Sequence, residues 1–103
     1  MQGISQKTRA VIRHMFPRNQ QEKVEQFLVA ECGNNLPFLE NADEIELEWV
    51  RLAVLKLSQG SLDMLLEHIQ GAQMDWRDVL VAAGFGYDIH EHTRWADTYI
   101  IVP

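Results

Sequence analysis

Apolar residues in this chain recur at helical intervals, and they are densest over residues 41–60, NADEIELEWVRLAVLKLSQG. On a helix at about 100° per residue, Ile45, Leu47, Trp49, Val50, Leu52, Ala53, Val54 and Leu57 cover roughly 220° of the circumference. A helix lying on the outside of a domain needs an apolar stripe of only about 100° or a little more. The pattern therefore predicts a central helix over 42–59 with neighbours on two sides. Asn41 with Glu44 three residues on forms a capping box at its start, and Gly60 supplies a left-handed ending.

Shorter helices are predicted around it. Residues 5–16 form an amphipathic helix with Ile4, Val11, Ile12, Met15 and Phe16 near one face; Pro17 stops it. A box from Asn19 to Glu22 opens a second helix with Val24, Phe27, Leu28 and Cys32 inward, ended by Gly33 and Asn34. The linker NNLPFLE is too apolar for a spacer, so Leu36, Phe38 and Leu39 are expected to plug the core. Ser61 caps a helix carrying Leu62, Leu65, Leu66 and Ile69, weakened towards its end by Gly71. Asp75 with Asp78 reads as an acidic box for a short helix whose Trp76, Val79, Leu80 and Ala83 share a face. Gly84 and Phe85 fit a Schellman ending for it.

Asp88 with Glu91 starts the last helix, over about 89–97. The apolar tail, residues 99–103, has strand propensity and no strand to pair with. It is expected to dock as an extended strap or to meet a second copy, making a homo-oligomer. The fold class is all-α: an irregular bundle of about five or six short helices around 42–59, with an extended apolar C-terminal tail, in one helical domain over 1–103.

Composition narrows the function classes. A chain of 103 residues with 47% hydrophobic content buries enough surface for one core without metal or disulfide support. The single cysteine suits a reducing compartment, and no apolar run approaches the roughly 18 residues of a membrane span. The N-terminus lacks the apolar core of a secretory signal. It has the Arg-bearing, acid-poor look of a transit peptide, but its apolar face is needed for the core. The expected location is cytoplasmic. The net charge of −6 is uneven: residues 1–23 hold five Lys or Arg against Glu22, whereas 24–50 hold seven acids and no Lys or Arg. Such a field repels nucleic acid and anionic membranes and attracts basic partners. Its plainer reading is a solvated face that maintains solubility.

Candidate chemistry is sparse. His90 and His92 lie two apart in a predicted helix, about 200° around it, and cannot grip one ion there; no His-Glu-x-x-His or di-iron pattern occurs. No metal and no cofactor are expected. Cys32, at a helix C-terminus beside Glu31, reads as a buried structural thiol. The glycines of AAGFG end a helix, whereas a phosphate loop leads into one. Residues 75–97 have a helix–turn–helix outline, but the would-be recognition helix carries one Arg against Glu91 and Asp97.

The expected function is a non-enzymatic interaction or regulatory protein. It binds a protein partner, a basic one, through Glu40, Asp43, Glu44 and Glu48; inhibitors and immunity proteins offer an analogy of size and charge only. The first alternative is a small enzyme or ligand-binding domain using His68, Asp75, His90, His92 and Trp95. A helix–turn–helix DNA-binding domain is a further alternative.

Overall fold

The computed structural model describes residues 4–33, 36, 43–86 and 90–100, the last two by their backbone alone. Five helices carry the described chain: α1 (Gln6–Met15), α2 (Arg18–Glu31), α3 (Glu44–Ser58), α4 (Leu62–Ala83) and α5 (Glu91–Ile100). The fold is an all-α bundle, with no strand among the described residues. None of its described helices is long and apolar enough to cross a membrane.

α3 is the centre, as its apolar arc predicts. Val50, Arg51, Leu52, Ala53, Val54 and Leu55 are consecutive and all buried. Six residues in a row span more than a full turn, so α3 is enclosed all round at its middle. It packs against α4, α1 and α5. Each fully buried Leu or Val there contributes about 1.5–3 kcal/mol of transfer free energy. Ile45 departs from the predicted arc: it is 59% exposed.

The ends of the helices correct several expected caps. α3 starts at Asp43, whose Oδ1 accepts a hydrogen bond from the Glu46 amide at 2.8 Å. Asp43 and Glu46 repeat the spacing of Asn41 and Glu44, and the chain uses the later pair; Asn41 lies outside the described residues. Its far end turns at Gln59, already left-handed at φ 52°, and continues through Gly60 at φ 81°. A Cβ on Gly60 would sit 2.7 Å from the Met15 carbonyl oxygen, so this turn is held to glycine by close approach as well as by φ.

α2 begins directly after Pro17 rather than at Asn19. Pro17 has φ −65° and ψ 156°, and its carbonyl accepts from the Gln20 amide, so the first turn forms without a capping side chain. α1 ends as expected, with Phe16 extended ahead of the proline. Val11, Ile12 and Phe16 are buried, so the first helix belongs to the core. Leu36 is buried too, while Phe38 and Leu39 lie outside the described residues.

α4 runs on past Gly71 to Ala83, but it bends sharply at Asp75, where φ −158° and ψ 98° are not helical. Asp75 Oδ1 accepts from the Arg77 amide at 3.1 Å, so it caps the second arm, the helix start read there in the sequence. The Schellman ending is also present: the Phe85 amide reaches Leu80 O at 2.8 Å and the Gly84 amide reaches Val81 O at 3.0 Å. α3 holds this ending from the side. Trp49 Nε1 donates to Phe85 O, and Lys56 Nζ donates to Ala83 O while lying 5.0 Å from the Phe85 ring centroid.

α5 continues to Ile100, so Tyr99 and Ile100 have helical backbone where an extended tail was expected. With Asp97 tied to Lys7 on α1 and Ala96 buried, the helix is anchored through its last turns. The rest of the tail and the Asp88 cap lie outside the described residues.

Candidate functional site

The four residues expected to bind a partner have different fates. Asp43 and Glu44 are exposed at the start of α3, where negative charge also complements the helix dipole. Glu40 lies outside the described residues. Glu48 turns inward: its side chain is 17% exposed and its Oε1 lies 3.4 Å from His92 Nε2. The hydrogen bond from His92 holds the Glu48 carboxyl below its usual range; burial opposes this, and Ser5 and the Lys7 charge assist it. Glu48 therefore belongs to a pair bridging α3 and α5.

His92 is 1% exposed. Its Nε2 faces Glu48 and, at 3.3 Å, the Thr93 hydroxyl; its ring meets Phe85 edge-on with centroids 6.3 Å apart. Its Nδ1 is buried without a hydrogen-bond partner among the described residues. A ring protonated on Nε2 donates to Glu48 and leaves Nδ1 as an empty acceptor, which avoids burying an unpaired N–H. His90, two residues before, is exposed. His90 precedes α5, so the predicted spacing of the two rings within one helix does not apply to them.

Of the remaining members of the alternative site, His68 and Asp75 lie elsewhere, whereas Trp95 shares the Phe85 ring contact with His92. His68 and Asp75 line an open, shallow groove of about 380 Å³ at the α4 bend, together with Leu57, Met74, Asp78 and Val79. Asp75 is already engaged: the Arg77 side chain, through Nε at 3.2 Å, and the Arg77 amide hold its carboxyl below the usual range. Trp95 packs instead on Phe85, with centroids 6.0 Å apart. Among the described residues, His68 and Asp75 share the groove, His92 and Trp95 share the Phe85 ring, and His90 is exposed. Among the described residues no three His, Cys, Asp or Glu side chains come together as a metal would need.

Arg51 was not singled out from the sequence, although it is the most deeply buried of the described cations. Its Nε donates to Cys32 O at 2.9 Å, tying α3 to the end of α2, and burial draws its pKa downward. Burial likewise pushes the Cys32 thiol up to about 12, with Arg51 opposing, so the thiol stays protonated and inert. The signal for Arg51 was present: a charged residue inside an apolar run too wide to leave a solvent face has nowhere to exit.

The basic first helix and the last helix are largely self-neutralised. Lys7 pairs with Asp97 at 3.0 Å, Arg9 with Glu25, and Arg94 with Glu91 at 2.6 Å. The one arginine of the would-be recognition helix therefore already has a carboxylate. Compared with family models, with curated proteins and with solved structures, the chain matches none of them.

Proposed function

We propose that this chain is a non-enzymatic interaction protein that holds a basic protein partner against the acidic start of α3. The observation that supports this is a clustering of acids. Glu22, Asp63, Glu67 and Asp78 have no cation within salt-bridge distance among the described residues, but they do not crowd three into four positions. Glu25, Glu48, Asp75, Glu91 and Asp97 each have a cationic or imidazole partner within the fold. Asp43, Glu44 and Glu46, three acids in four positions, have no cation within salt-bridge distance among the described residues. Ile45 stands exposed between them and offers an apolar anchor inside the charged patch. A helix dipole accounts for one or two such acids, each favourable by about 0.3–1 kcal/mol, and not for the exposed isoleucine. The inert, buried Cys32 suits a cytoplasmic protein in a reducing compartment.

The separation of His68 and Asp75, in the groove, from His92 and Trp95, on the Phe85 ring, is the reason the enzyme or ligand-binding alternative is not adopted. The test begins with affinity capture from native cells and measures association of the retained protein against salt. Wild-type association should slow from about 0.05 to about 0.5 M salt as the screening length shrinks. A variant carrying Asp43→Asn, Glu44→Gln and Glu46→Gln should bind more slowly with a flatter salt dependence and unchanged melting. Asparagine is chosen because it keeps the N-cap. Equal rates for the two proteins at every salt concentration would refute the reading.

A further inference from the structure

We infer that the groove at the α4 bend is a second docking surface, one that takes a basic amphipathic peptide segment of a protein partner. The inference rests on the reading of this chain as an interaction protein, but it uses a different surface. The groove exists because Asp75 breaks the helix and caps its second arm, so the two arms of α4 diverge and leave an angle between them. The floor is apolar, with Leu57 from α3 and Val79 and Ala82 from the second arm. Gly71 opens the floor: a Cβ there would lie 3.7 Å from Val79 Cγ2, in ordinary contact, so the missing side chain leaves space rather than relieving a clash. Met74 forms the lip and is 86% exposed, the most exposed large apolar residue among those described. An unbranched, polarizable side chain in that position adapts to varied apolar partners.

Charge selects the occupant. The lining contains Asp75 and Asp78 and no Lys or Arg. Arg77 engages Asp75 from outside the groove, whereas Asp78 has no cation within salt-bridge distance among the described residues. An occupant that seats a Leu- or Met-sized side chain on the floor and places a Lys or Arg beside Asp78 satisfies both features. At about 380 Å³ and open to solvent, the groove holds one or two side chains of a peptide. It does not enclose a small molecule, which usually has most of its surface buried.

The probe is a synthetic Lys/Leu amphipathic peptide of about 12 residues, with its Glu/Leu counterpart as control, titrated into isotopically labelled full-length protein and followed by NMR. The Lys/Leu peptide should shift the amides of Gly71, Asp78 and Ala82 and the Met74 methyl, and the Glu/Leu peptide should not. Asp78→Asn should weaken binding about two- to fivefold, the range for one exposed ion pair. Gly71→Leu should abolish it by filling the floor. Because a bulky residue could disturb packing, Gly71→Ala provides a second variant: alanine favours the helix, keeps the fold, and should still weaken binding measurably. The variant carrying Asp43→Asn, Glu44→Gln and Glu46→Gln should retain the groove shifts, which separates this site from the acidic start of α3. Shifts centred on α3, equal binding of the Glu/Leu peptide, or full binding by both Gly71 variants would overturn the inference. So would a concentration-dependent dimer, seen by sedimentation, that Asp78→Asn dissolves, since the occupant would then be a second copy.

Discussion

Leu52 is fully buried on the helix that α1, α4 and α5 pack against. Replacing it with alanine should cost about 2–5 kcal/mol, the range for truncating a large core side chain, read from denaturant melts. A loss well below that would mean that the site collapses around the cavity. Glu48 gives a pH-dependent outcome whose sign follows from its lowered pKa. In the unfolded chain the carboxyl takes up a proton at a higher pH than in the folded one. Its contribution is therefore fully present above the ordinary glutamate value and is lost as pH falls through the lower folded value. Glu48→Gln should be less stable than wild type at neutral pH, with the gap narrowing steadily below about pH 4.5. A gap that is the same at every pH would show that the pair with His92 adds nothing.

Helix ends carry the testable features at the scale of the element. Asp75→Ala removes the side chain that caps the second arm of α4 and should lower the melting temperature, whereas Asp75→Asn should be nearly silent. Equal losses in thermal melts would point to the ion pair with Arg77 instead of the cap. Gly60 is the stricter position. Gly60→Ala meets both a left-handed φ and a carbonyl 2.7 Å from its Cβ, so it should destabilise more than an ordinary exposed Gly→Ala change. Ser61, by contrast, accepts the Met64 amide just as its place before an apolar-periodic run implies.

One core cluster gathers residues from all five helices, and the three tryptophans, on α3, α4 and α5, each pack against it. Unfolding should therefore be a single event: tryptophan fluorescence and far-ultraviolet circular dichroism should give superimposable denaturant curves. A fluorescence transition that precedes the helix signal would reveal that α5 or the second arm of α4 releases first. The charge distribution also belongs to this scale. The basic and acidic segments do not neutralise each other as blocks. Lys7 and Arg9 find Asp97 and Glu25, and Asp43, Glu44 and Glu46 have no such partner among the described residues. This arrangement underlies the proposed attraction for a basic partner.

What the sequence alone determined is what depends on residues a few positions apart. The helical period over 44–58, the proline stop after Phe16, the cap at Ser61, the start at Asp75 and the glycine ending at Gly84 are all local, and each is present in the fold. Asp43 and Glu44 were also legible as surface acids, since the first turn of a helix favours them. Only the tertiary structure decided which of two equally spaced capping pairs opens α3. It also decided that Ile45 is exposed, that Glu48 turns to meet His92, and that Arg51 is sealed against Cys32 O. The physical reason is common to these cases. A periodic pattern says which face of a helix can be buried, but the length and position of the covering helices decide how far along that face burial extends. An ionisable side chain at its edge is solvated or paired according to what arrives opposite it, and for Glu48 what arrives is a histidine 44 positions later in the chain.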